Sequence, residues 1–281
     1  MEHQTTSISR PDAPDLFARA WTEPPELRAR VALVHGIHEH SGRYAYPASR
    51  WLDRGVETYA VDLRGHGSSD GPRGRVQHFG AYVADARALV EWTLTATPTC
   101  STFLMGHSMG GLVVARYLIE HGWDGLSGVI LSSAALRVPA ETPALLVRLA
   151  PLLARFAPAL RVTSVPMSHL SRDPRVGEQY QADPLTITQR VEAQTGHAIL
   201  DAIQSLDANL DAFDGPLFLF HGSDDRVTTP TGSAWLAEQA PSDDVTHRVW
   251  PGLRHETLNE PERDRVIDAV ADWVLERSGP A

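Results

Sequence analysis

Residues 105–111 read MGHSMGG, and the reading of Ser108 within them decides the fold. Gly106-x-Ser108-x-Gly110 follows the apolar run STFLMG and opens the helix-like run MGGLVVARYLIEHG. A strand, a serine between glycines and then a helix form the context of a nucleophile elbow. The turn is sharp enough to crowd the backbone, and the glycines remove side chains that would collide. The serine oxygen is thereby presented above the sheet edge. The helix N-terminus behind it favours developing negative charge. Without those flanks the stretch would be a glycine-rich turn with an incidental serine.

Outward from the elbow, short apolar runs alternate with longer helical ones. VALVH at 31–35 and VETYAVD at 56–62 predict buried strands. PASRWLDRG predicts a helix with Pro47 near its start and Gly55 past its end. FGAYVADARALVEWTL has apolar residues three and four apart and predicts another helix. LSGVILSSA follows as a strand. This alternation implies an α/β fold, with a mostly parallel central sheet and helices on both faces. TSISR and LFARAW near the start predict antiparallel edge strands. The rhythm stops near residue 138 and resumes at GPLFLFHGSDD, so residues 1–138 and 213–281 form one core. Residues 139–212 form a helical insertion without an obvious buried strand.

An activated serine needs a base, and the base needs an acid to orient it. The late strand ends in HGSDDRV, offering Asp224 and Asp225, which spacing does not separate. The last strand ends in WPGLRHETLNEP, offering His255. Both lie beyond the C-terminal ends of strands, where open α/β sheets build their sites. His247 is the rival base but falls inside a strand pattern. His169 and His197 lie in the insertion, where packing or surface roles are the simpler reading.

VALVHGIHEHSGRY at 31–44 collects His35, His38 and His40 around Glu39. The pattern H-E-x-x-H would need histidine at 42, which is Gly42, and the reverse pattern would need glutamate at 38, which is His38. The cluster therefore reads as no metal site. A His-Gly pair after an early strand instead shapes a loop that aims an amide at a substrate oxygen. That amide is Ile37's, and Met109, following the serine, supplies the second.

Composition narrows the chemistry. The chain has 281 residues, 42% of them hydrophobic, enough for a large core. Its formal net charge of −10 argues against a nucleic-acid partner. All 25 basic residues are arginine, which excludes a lysine nucleophile and pyridoxal-phosphate chemistry. Cys100, the one cysteine, can form neither an intrachain disulfide nor a cysteine-rich zinc site. No stretch approaches the ~20 apolar residues of a membrane span, and the polar start lacks a signal-peptide run, so a cytoplasmic protein is expected.

Taken together, HGIHEHSGRY, VDLRGHGSSDGPRGRV, GHSMGG, HGSDDRV and PGLRHETLNEP resemble the monoacylglycerol lipases and related lysophospholipases, the serine aminopeptidase-type α/β-hydrolases. The resemblance covers nearly the whole chain beyond residue 30. It implies an α/β-hydrolase fold whose insertion is a helical cap. It implies Ser108 as nucleophile, His255 as base and Asp225 as the acid, with Ile37 and Met109 as oxyanion donors. Glu39 and Arg43 match positions that form a polar pocket for the glycerol end; the plainer alternative is a surface ion pair. No cofactor or metal is implied. The expected substrate is a single-chain lipid ester, most simply monoacylglycerol. A lysophospholipase or general carboxylesterase is the near rival, and a non-catalytic binding protein on the same scaffold the distant one. A haloalkane dehalogenase would need aspartate at position 108. The chain departs from the pattern at His38, where many members have glycine, and at Leu258, where some have histidine. In the leucine-rich run 144–160, some residues are expected to pack their apolar face on the core, and others to line an acyl channel or touch a membrane or micelle surface.

Overall fold

The computed structural model describes residues 3–96 and 99–279. The elements of the main sheet follow the predicted rhythm, and among the described residues there are ten strands and eight α-helices. They are β1 (Gln4–Arg10), β2 (Ala13–Trp21), β3 (Ala29–Val34), α1 (Ala45–Leu52), β4 (Val56–Val61), α2 (Gly80–Ala96), β5 (Ser101–His107), α3 (Met109–His121) and β6 (Gly128–Ser132). After these come α4 (Ala144–Phe156), β7 (Arg161–Thr163), α5 (Pro174–Ala182), β8 (Val191–Glu192), α6 (Ala193–Gln204), β9 (Leu217–Gly222), α7 (Pro230–Gln239), β10 (Val245–Trp250) and α8 (Arg263–Glu276).

Eight strands form one sheet in the order β1-β2-β4-β3-β5-β6-β9-β10. β1 and β2 are the antiparallel strands expected at its edge; the remaining six run parallel. β3, β4, β6 and β9 are buried along their whole length. Helices cover both faces of these central strands, so each is largely apolar rather than alternating, with Arg30, Glu57, Thr58 and His221 among the buried polar exceptions. The edge strands β1 and β10 are mostly exposed or half-buried and carry polar residues. One apolar cluster joins α2 and α3 to the sheet through Tyr82, Leu89, Leu112 and Val113. A second joins α1 and α8 through Trp51, Ile267 and Val270 on the opposite face.

The chain leaves the sheet after β6 and returns at β9. The intervening residues are mainly helical and also pair β7 with β8 in a two-stranded antiparallel ribbon. The ribbon escaped the sequence reading because its strands are three and two residues long and carry no apolar run. α4 covers the leucine-rich run as far as Phe156, with Pro151 inside it.

Candidate active site

Ser108 links β5 to α3 at φ 54° and ψ −120°. A left-handed serine costs about 1–2 kcal/mol unless its surroundings hold it. Here the Ser108 amide donates to the Ser132 carbonyl at 2.9 Å, and its own carbonyl accepts from Gly111 and Ala135. The flanking glycines are sterically required. A Cβ on Gly106 would lie 2.2 Å from the Gly110 carbonyl oxygen, and one on Gly110 would lie 2.2 Å from that of Val34.

Asp225 follows β9 and is held from every side. Its Oδ1 accepts from the amides of Val227 at 2.7 Å and Thr228 at 3.1 Å. Its Oδ2 accepts from His255 Nδ1 at 2.8 Å and His221 Nε2 at 3.0 Å. Burial works against the carboxylate's charge, but the two histidines outweigh it and hold the group far below the ordinary carboxylate range. Because an ionised carboxylate only accepts, the His255 proton sits on Nδ1 and Nε2 is left as the base. His255 is itself buried, which works against its protonation. The Asp225 charge and hydrogen bond, with Glu256 and Glu39 beyond, outweigh that and raise it above its ordinary value of 6.5. His221 is oriented in turn, since its Nδ1 accepts from the Ser233 hydroxyl at 2.8 Å. Thr228 Oγ1 stands 2.8 Å from Asp225 Oδ2 and 2.9 Å from the Ser133 carbonyl; its single proton serves one of them.

Structure thus separates the two aspartates that spacing left equal. Asp224 is exposed and accepts from its neighbour Ser223 at 2.7 Å. His247, the rival base, lies exposed on the edge strand β10.

Ser108 and His255 line one cleft of about 510 Å³, part of it open to solvent. Its floor is the 36–39 loop. The Gly36 amide is engaged by Glu39 Oε1 at 2.6 Å, which turns the loop and leaves Ile37 as the next amide. Met109 opens α3, so its amide belongs to the first turn, where a helix has no internal acceptor to offer. His38 takes φ 65°, the left-handed region that favours glycine, the residue that the resemblance leads one to expect here. Its carbonyl is gripped by the inserted segment, accepting the Tyr180 hydroxyl and the Ile187 amide, both at 2.8 Å.

Two of the three histidines in 31–44 are engaged through their rings. His35 Nε2 accepts the Leu63 amide at 2.9 Å, so its proton lies on Nδ1 and is donated to the Gly36 carbonyl at 2.7 Å. His40 pairs with Asp183 at 2.9 Å. Burial lowers His38 to about 4. Among the described residues no group of three or more His, Cys, Asp or Glu side chains is placed to hold a metal ion.

Glu39 and Arg43 are buried cleft residues rather than a surface pair. Arg43 Nη1 bridges Glu39 Oε2 and Glu256 Oε1, and Nη2 reaches Glu256 Oε2, each at 2.8 Å. The Tyr180 ring covers the guanidinium at 4.9 Å. Glu256 was not singled out from sequence; its position directly after His255 was the available signal. His221, Thr228 and Tyr180 were missed as well. Leu258 packs in the apolar cluster under α8, away from the cleft lining. The inserted segment adds apolar Val165, Met167, Leu170 and Ile187 and polar Ser164, Thr188 and Gln189 to the walls, and the acid loop adds Val227.

A strained serine elbow on this strand order, sharing a cleft with a buried histidine–aspartate pair, defines a serine hydrolase of the α/β-hydrolase class. Comparison with known proteins gives the same class. Residues 25–262 match the Hydrolase_4 family, described as serine aminopeptidase, S33. The chain is 36% identical over 255 residues to a monoacylglycerol lipase of Mycolicibacterium smegmatis, covering 91% of each. It is 30% identical over 244 residues to the phospholipase YtpA of Bacillus subtilis, covering 86% of this chain and 93% of that one. The crystal structure of Paleococcus ferrophilus monoacylglycerol lipase superposes with a TM-score of 0.82 at 32% identity, covering 94% of this chain and 99% of that one. The chain belongs to the Hydrolase_4 family of α/β-hydrolases.

Proposed function

We propose that this protein hydrolyses carboxylic esters of single-chain lipids, with monoacylglycerol as the principal substrate. The observation that carries the reading is the Asp225–His255 hydrogen bond of 2.8 Å at a cleft also lined by the elbow serine. His255 Nε2 removes the Ser108 proton as Oγ attacks the ester carbonyl. The amides of Ile37 and Met109 receive the developing oxyanion. His255 then protonates the departing glycerol oxygen. Water repeats the sequence on the acyl-enzyme, releasing the fatty acid and restoring Ser108. Asp225 fixes the imidazole tautomer throughout and stabilises the imidazolium.

Residues 139–212 act in this reading as a cap. Val165, Met167, Leu170 and Ile187 give the acyl chain an apolar wall. α4 has a different part. Leu145, Leu149, Leu152 and Phe156 recur at helical spacing and are 67%, 38%, 54% and 76% exposed. None of them lines the cleft, so of the two roles expected for this run, contact with a lipid surface is the supported one.

The test is labelling by a fluorophosphonate probe, expected once per chain at Ser108. It should be paired with fatty-acid release from a monoacylglycerol series of increasing chain length. Each buried methylene contributes roughly 0.8 kcal/mol, so efficiency should climb with chain length until the cleft is filled. Flat dependence on chain length would reduce the reading to a general esterase. The phospholipase among the relatives supports a second reading, hydrolysis of lysophospholipids by the same residues.

A further inference from the structure

We propose that Glu39 and Glu256 make the cleft selective for esters of neutral alcohols and exclude those whose alcohol carries a phosphate or another anion. This rests on the ester-hydrolase reading of Ser108 and concerns which of its two substrate classes is turned over.

The charged side chains lining the cleft are Glu39, Arg43 and Glu256, two carboxylates against one guanidinium. All three are nearly buried, with side chains 6%, 11% and 5% exposed. A phosphate-bearing head group needs a cation with free N–H groups, ideally a guanidinium fork. Arg43 is already committed. Three of its five N–H groups, on both terminal nitrogens, donate to Glu39 and Glu256 at 2.8 Å, and the Tyr180 ring lies over its plane. Its single charge is more than offset by the two carboxylates it holds, and drawing it away to a phosphate would strand both.

The histidines of the cleft offer no substitute. Burial, reinforced by His255, holds His107 near 4, and burial holds His38 near the same value, so both are neutral under ordinary conditions. His255 becomes cationic during the reaction, but Asp225 sits against it at 2.8 Å. Glu39 stays ionised: its burial is outweighed by Arg43, His107 and His35, and it is lowered to about 2. Glu256 is also tied, by Asn259 Nδ2 at 2.8 Å. The lining therefore carries an excess of one negative charge in a partly desolvated space. Like charges at that range oppose binding strongly, on the order of tenfold to a hundredfold in efficiency. A glycerol head, by contrast, can donate hydroxyl protons to the same carboxylates.

The experiment compares two matched pairs at low ionic strength. One pair is 1-octanoylglycerol and 1-octanoylglycerol 3-phosphate; the other is phenyl butyrate and its 4-sulfonate. Expected is at least a tenfold higher kcat/KM for the neutral member of each pair. The gap should narrow as salt is raised, and should narrow in Glu256→Gln at low salt. Within-pair ratios do not depend on how much of the variant is folded, and the salt series needs no variant. Equal efficiency within both pairs overturns the proposal, as does a ratio that neither salt nor Glu256→Gln moves. If the aryl pair is discriminated while octanoylglycerol is not cleaved, the filter stands and the lipid substrate falls. If no ester is cleaved and the probe does not label Ser108, the hydrolase reading fails and the filter falls with it.

Discussion

The strand-end loops and the inserted segment solve opposite problems. At the strand ends, polar groups are buried and over-determined. Asp225 accepts from two amides and two imidazoles, and Arg43 is forked between two glutamates. On α4, large apolar side chains are exposed. Reactive groups gain from fixed geometry and a low-dielectric setting. In the reading proposed above, α4 meets a fluid lipid phase, and such a surface gains nothing from a fixed partner. On that reading the chemistry is held in one place and the substrate met in another, and each half can be broken by itself.

The deepest cut is Ser108→Ala. Ester turnover is expected to fall about 10⁶-fold, as when the nucleophile of a comparable triad is removed. Probe labelling should vanish while the melting temperature holds. Robust hydrolysis by this variant would remove the elbow from the mechanism.

Asp225→Asn comes next, with a loss of about 10⁴-fold through the wrong histidine tautomer. Asp224→Asn, one residue away but exposed, should change kcat/KM little. Reversed effects would mean that the turn presents the other carboxylate to His255.

Arg43→Met sharpens the contrast between buried and exposed charge. It leaves Glu39 and Glu256 buried without their cation, and a loss of about 3–5 kcal/mol in chemical denaturation is expected. The exposed pair Arg87–Glu91, 57% and 62% accessible, is the control. Arg87→Met should cost less than about 1 kcal/mol. Equal losses would show that the buried trio adds nothing specific.

A pH profile reads the strand-end loops without mutation. The base works when His255 is neutral, and its Asp225 partner raises it above 6.5. kcat/KM should therefore rise with pH, with a limb centred above 6.5 and about a tenfold loss per unit below it. Glu39, lowered to about 2, stays ionised throughout that range and adds no limb of its own. A midpoint below 6.5 would contradict the aspartate's influence.

The smallest effect is expected on α4. Leu152→Asp and Phe156→Asp should weaken association with phospholipid vesicles severalfold. Turnover of a dissolved short-chain ester and the melting temperature should hardly move, since exposed side chains contribute within about ±0.5 kcal/mol to stability. Equal loss on dissolved and vesicle-borne ester would give the stripe a structural role instead.

What could be read from sequence follows from the range of the interactions involved. Ser108 was legible because its elbow is local: strand, glycines and helix are contiguous. His255 and the aspartate pair were legible as strand-end residues. Choosing Asp225 over Asp224 by residues alone was not possible, because burial there depends on His255, thirty positions away in the chain. Glu256 acquires its role from Arg43, separated from it by 213 positions, and no pattern of neighbours records that contact. His221 reads as one more residue of a buried strand until its proton is traced to Asp225. The β7–β8 ribbon was too short to have a period.

The grip on His38 has a mechanical consequence. Tyr180 and Ile187 lie in the inserted segment, yet both hold the carbonyl of a residue adjacent to Ile37. Any displacement that lifts residues 180–187 off the core must either release two hydrogen bonds or drag that carbonyl along. Because His38 is already in a left-handed conformation, its peptide has little room to yield without changing well. Admission of a bulky guest and the aim of the neighbouring amide are therefore geared together, as a latch whose bolt is part of the door frame.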